Sequence, residues 1–94
     1  MKLIIAIIQD KFVNTLIRNF LDENIKITKL SSTGGFLKSG NSTFLIGVEE
    51  SELEKAKMII KNSVKSEVIK ENDEELKVSG AHLFIVDVEK NIVL

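Results

Sequence analysis

The side chains in this sequence best suited to meeting a ligand cluster between residues 26 and 48, around the run LSSTGGFLKSGNSTFLIGV. Gly34 and Gly35 can take positive φ, which lets consecutive amides converge on a single anionic atom. Thr28, Ser31, Ser32, Thr33, Asn41, Ser42 and Thr43 supply neutral donors and acceptors, and Lys26, Lys29 and Lys38 supply positive charge. Phe36 presents a flat face on which a base can stack. Asn41 can pair with both edge groups of adenine, as asparagines do in nucleic-acid complexes. Together these groups suit a nucleotide, with phosphate on amides and lysine and the base between a ring and an amide side chain. The same residues also compose a glycine-rich hairpin whose Phe36 plugs a contact between subunits. Both readings stay open on chemistry alone. The second weighs slightly more, because G-G-F is a short motif and no Walker-type loop is present.

Other chemistry is sparse. His82 is the single histidine and falls among apolar residues of a predicted strand, where a packed or surface ring is the ordinary role. There is no cysteine, which removes disulfides, thiolate nucleophiles and zinc–thiolate sites and fits a reducing cytoplasm. No G-x-S-x-G elbow accompanies His82. The acidic runs EESELE and ENDEE read as solvated helix-start and turn charges, the first favoured by the helix dipole. With 13 Lys+Arg against 14 Asp+Glu, the chain has no general attraction to nucleic acid or an anionic membrane. Base stacking on strands, as RNA readers use it, would have to rely on Phe44 and Phe84 without a basic surround. The expectation is therefore a non-enzymatic protein with no metal, nucleic-acid or membrane partner.

The elements that must position the segment follow from periodicity. Ninety-four residues make one domain, 1–94, with 44% hydrophobic and only 5% aromatic residues, hence an aliphatic core. A chain of this size buries roughly 60–65% of its surface, so association with its own copies would help it. KLIIAIIQ (2–9) is a continuous apolar run of the kind found in a central strand, and Asp10 ends it too early for a signal peptide or a spanning helix. Asp10 also looks like an N-cap for the next segment. There, Phe12, Val13, Leu16, Ile17, Phe20 and Leu21 recur at helical spacing. IKITKL (25–30) and STFLIGV (42–48) read as strands of a hairpin. EESELEKAKMIIKNSV reads as a second helix, with Ser51 and Glu54 at capping-box spacing and Leu53, Ala56, Ile59, Ile60 and Val64 inward. SEVIK (66–70), an acidic turn, LKV (76–78), a bend at Ser79–Gly80–Ala81 and HLFIVDV (82–88) complete the chain. The order is β-α-β-β-α-β with an extra short strand before the last, an α+β ferredoxin-like plan: an antiparallel sheet with two helices on one face. The other face carries Leu, Ile and Phe candidates, so a partner subunit is expected there.

The stretches KLIIAIIQDK, TKLSSTGGFLKSGNSTFLIGVE and VSGAHLFIVDVE resemble, in the same order and over nearly the whole chain, the cyclic di-AMP receptor family of PII-like proteins. The resemblance implies a PII-like ferredoxin-like homotrimer that transduces signals in the cytoplasm and binds cyclic di-AMP, with no cofactor, in clefts between subunits. It implies that Lys26, Thr28, Gly35, Phe36, Leu37, Asn41 and Gly47 line the pocket and that Phe84 matches an aromatic of the family's final strand. Thr28 and Asn41 would hydrogen-bond an adenine, Phe36 and Leu37 would pack on the nucleotide, and Gly47 would leave room for a base. Lys26 stands where the family often has arginine, whose planar fork lysine lacks. Where the family usually has a long loop with proline and glycine, this chain has SEVIKENDEELKV and no proline anywhere. The rival readings are an enzyme on the same fold, which needs a titratable pair in the cleft, and a metal-responsive trimer similar to the CutA group, for which His82 is the only imidazole.

Overall fold

The computed structural model describes residues 1–30, 40–64, 67–71, 74–78 and 80–89, and of 67–71 and 74–78 only the backbone pairing. Strand β1 (Lys2–Gln9) is followed by helix α1 (Val13–Asp22), strands β2 (Thr28–Lys29) and β3 (Asn41–Val48), helix α2 (Leu53–Ser63), and strands β4 (Glu67–Glu71), β5 (Glu74–Val78) and β6 (Ala81–Asp87). The main sheet has the order β2-β3-β1-β6, with every pair antiparallel. This is the expected ferredoxin-like arrangement. The segment before β6 differs in detail: it forms two strands that pair with each other, Ile69 opposite Leu76, as a ribbon outside the main sheet.

Strand alternation divides β1 between two layers. Ile4, Ala6 and Ile8 are buried, and their partners across the ladder, Ile46, Phe44 and Ser42, are buried with them. Val13, Leu16 and Phe20 of α1 and Ala56 and Ile60 of α2 close over this face. Leu53, Ile59 and Val64 are partly buried at its margin, whereas Leu21 points out to solvent because it lies at the edge of the apolar stripe. The helices are tied to each other at their ends. Asn19 donates from Nδ2 to Ser63 Oγ at 2.8 Å, and Ser63 donates on to the Ile59 carbonyl at 2.6 Å.

The helix starts differ from the sequence expectation. The chain enters α1 through a 3-10 turn, Asp10–Phe12, and α2 through another, Glu50–Glu52; neither helix receives a side-chain cap. Asp10 lies inside its turn, and its carboxylate accepts from Ser42 Oγ at 2.6 Å, so it holds β3 and does not cap amides. Ser51 likewise sits within a 3-10 turn, and Glu52 occupies the N-cap position of α2. The end of α1 has a device that periodicity does not reveal. Asn24 takes φ 57°, the Asn24 amide donates to the Leu21 carbonyl, and the Ile25 amide donates to the Phe20 carbonyl. That is a Schellman closure, sealed by contact between buried Ile25 and Phe20. It uses up Ile25, which is why β2 pairs only from Thr28 and is shorter than the predicted 25–30.

At the far edge, Lys2 and Asp87 form an ion pair across the β1–β6 ladder. The hydrogen bond from the Lys2 ammonium holds the Asp87 carboxyl below its usual range. This exposed tie is therefore made above the ordinary carboxylate pKa and is lost as pH falls through the lowered value.

Phe44 is fully buried at the centre of the helix-covered face. Phe44→Ala is expected to cost about 3–5 kcal/mol, the range for emptying an aromatic site in a core. Met58→Ala, on the exposed side of α2, should stay within about 0.5 kcal/mol. Urea unfolding of the two variants measures the difference.

Candidate functional site

Among the described residues, no helix lies on the second face of the main sheet. Its rows follow from the register. Thr28, Leu45, Ile5 and Phe84 run across the four strands, and the adjacent rows hold Gly47, Leu3 and Val86 on one side and Thr43, Ile7 and His82 on the other. Phe84 is 55% exposed and Val86 46% exposed, which leaves aromatic and branched side chains open to solvent.

At the β2–β3 end of this face lies a hollow of about 410 Å³ lined by Met1, Leu3, Lys26, Thr28, Leu45, Gly47 and Val88. Three residues singled out by sequence, Lys26, Thr28 and Gly47, meet here. Leu3, Leu45, Met1 and Val88, which the sequence reading did not single out, make its apolar wall. Alternation along β1 and β3 was the signal that places Leu3 and Leu45 beside Gly47. A charged ammonium and a hydroxyl over an aliphatic floor suit a flat, partly polar ring such as a nucleobase. A methyl placed at Gly47 meets no other atom within 4 Å, so the missing side chain there is not demanded by packing. It leaves the hollow open. A smaller hollow, about 240 Å³ between α2 and β6, contains none of the sequence-selected residues.

Asn41 lies at the start of β3 on the same face, opposite Gln9. Six residues of strand put it roughly 20 Å from Gly47. Phe84 is three strands from Thr28, roughly 14 Å in the hydrogen-bonding direction. The chain therefore does not gather Asn41 and Phe84 into the hollow that holds Lys26, Thr28 and Gly47. Gly35, Phe36 and Leu37, with the rest of residues 31–39, lie outside the described residues.

The ends of that connection are held by backbone bonds. The Leu30 amide donates to the Thr43 carbonyl at 2.8 Å, and the Asp10 amide donates to the Gly40 carbonyl at 2.9 Å. Gly40 takes φ +92°, a conformation that favours glycine. Ser42, grouped by sequence with the possible ligand donors, faces the helices and is bound to Asp10. Among the described residues no three histidine, cysteine or acidic side chains approach closely enough to hold a metal, and no helix is long and apolar enough to cross a membrane.

The sheet order defines a ferredoxin-like α+β protein, and the second face of its sheet carries a hollow. Comparison with known proteins makes the class specific. Residues 1–71 match the family model of the cyclic-di-AMP receptor, and the chain belongs to that family. A crystal structure of a functionally unknown protein from Pediococcus pentosaceus ATCC 25745 is similar over 99% of this chain and 96% of its own, at 41% identity and a TM-score of 0.75.

Gly47→Val should fill the hollow without straining the fold, because the space around the backbone is open. The expected result is an unchanged or raised melting temperature together with loss of heat on titration with cyclic di-AMP. A variant that unfolds, or one that binds normally, would remove the hollow from consideration.

Proposed function

We propose that this chain is a non-enzymatic signal-transduction protein that binds cyclic di-AMP in clefts between the subunits of a homotrimer, in the cytoplasm. The observation that carries the reading is the convergence of Lys26, Thr28 and Gly47 on one hollow in a member of a receptor family. Thr28 offers a hydroxyl to a base edge, Lys26 offers its ammonium to phosphate, and Gly47 makes room. Asn41 reads a second part of the ligand further along β3, with Gly35, Phe36 and Leu37 of the intervening connection completing the pocket. A cyclic dinucleotide has two bases and two phosphates to spread over such a span, whereas a single base does not.

The placement of Phe84 supports the inter-subunit part of the reading. It shares the hollow's face but does not line the hollow of its own chain. A neighbouring copy that covers the half-buried Leu3 and Ile5 and the exposed Phe84 and Val86 brings one chain's Phe84 toward another chain's hollow. Such an assembly also removes from water an apolar face that the two helices leave open.

Two measurements test this. Light scattering at micromolar concentration should give about three times the 10.5 kDa chain mass. Calorimetric titration should give saturable heat with cyclic di-AMP and little with cyclic di-GMP, ATP or 2-oxoglutarate. A stable monomer, or no heat with cyclic di-AMP, counts against the proposal.

Asn41→Ala should weaken binding about ten- to a hundredfold, because a buried edge group left unpaired costs roughly 1–3 kcal/mol. Asn62→Ala removes an amide from the exposed side of α2 and should leave affinity unchanged. Ser42→Ala is not a neutral control here, since it breaks the bond to Asp10.

A further inference from the structure

Leu3 and Leu45 both line the hollow, but their neighbours on the sheet differ. Leu45 has a side chain opposite it on each adjoining strand, Thr28 of β2 and Ile5 of β1. Leu3 has Val86 of β6 on one side and Gly47 of β3 on the other. Residues directly opposite each other on an antiparallel pair normally shield one another, with Cβ atoms about 5 Å apart. Gly47 has nothing to shield with. A Cβ placed there would meet no atom within 4 Å, so the space over Gly47 is open on the side of Leu3 as well. Side chains stand roughly perpendicular to a sheet. The half-buried Leu3 therefore rises as an aliphatic wall along one side of that space.

We propose that Leu3 is a ligand-contacting residue: the flat face of one base of the bound nucleotide packs against its side chain in the space over Gly47. The inference rests on the cyclic-dinucleotide reading of this hollow. Lys26 and Thr28 supply polar groups for the edges and phosphates of such a ligand, and Leu3 supplies the apolar surface that a ring face needs. Apolar area on both partners is then removed from water, which drives the contact without directional bonds. The wall is also held in place before any ligand arrives. Strand β1 is paired on both sides, and Leu3 sits in both ladders, opposite Gly47 and Val86. A surface fixed in this way costs little to order on binding.

The test uses Leu3→Ala, which shortens the wall, and Leu3→Met, which keeps its volume and apolar character. Each is compared with the wild type by light scattering and by calorimetric titration with cyclic di-AMP at two salt concentrations. Leu3→Ala should keep the wild-type mass and bind about tenfold more weakly, the lower end of what apolar pocket contacts contribute. Leu3→Met should bind within about threefold of the wild type, as volume-conserving exchanges are the best tolerated. Added salt should weaken Leu3→Ala and the wild type by the same factor, because screening acts on the attraction between Lys26 and phosphate and not on an apolar contact. A different factor overturns the inference, since Leu3 would then act by holding Lys26. Equal affinity of Leu3→Ala and the wild type also overturns it and leaves the broader reading standing. If Leu3→Ala does not keep the wild-type mass, Leu3→Val, a strong strand former, is read by the same measurements with a smaller loss expected. Failure of both to assemble overturns the inference, because Leu3 then serves a subunit contact. Absence of cyclic di-AMP binding by the wild type itself removes both readings.

Discussion

The structure depends on β1 being apolar on both of its faces. Ile4, Ala6 and Ile8 lie under the helices, and Leu3, Ile5 and Ile7 lie opposite, in a strand with neighbours on both sides. Two amphipathic helices suffice to cover only one layer. The consequences run outward from this imbalance. The covered layer has a continuous core of Phe20, Phe44, Ile46 and Ile60. The other layer keeps branched and aromatic side chains at the surface and is where β2, β3 and the chain's first residue shape a hollow. Stability and binding are thus divided between two sides of one strand.

That division was readable in the sequence where periodicity was strong. The run KLIIAIIQ and the three-and-four spacing of α1 specify their elements because burial alone sets those patterns. The ends of elements were less legible. Asp10 has the right chemistry for a helix cap and the right place in the chain, but a partner thirty-two residues away, Ser42, competes for its carboxylate and wins. Asn24 has no apolar signature at all; its role in closing α1 lies in a backbone angle. Ile25 looked like a strand residue by alternation and is instead the hydrophobic seal of that closure. In each case a long-range or conformational term overrode a local preference.

The candidate site shows the same limits. Lys26, Thr28 and Gly47 meet because antiparallel pairing brings residues far apart in sequence to neighbouring places on a sheet. Asn41 and Phe84 belong to the same face but not to the same hollow, since a strand spaces its residues by a fixed rise and a sheet spaces its strands by a fixed width. The difference between Ser42 and Thr43 could not be foreseen from composition, for both are small hydroxyl residues next to each other. Their opposite surroundings arise from the one-residue alternation of the strand.

The two backbone bonds that flank the connection between β2 and β3 have an engineering consequence. One joins Leu30 to Thr43 and the other joins Gly40 to Asp10, so both ends of the intervening segment are anchored to the sheet's own framework. Closing a longer flexible segment across fixed ends costs only about 0.6 kcal/mol for each doubling of its length. A segment exchanged between these anchors would leave the two bonds that fix its ends in place, provided that the glycine at position 40 is kept. The protein is suited to grafting: foreign recognition loops inserted at this point would be displayed beside an existing hollow on a support that does not need to be redesigned.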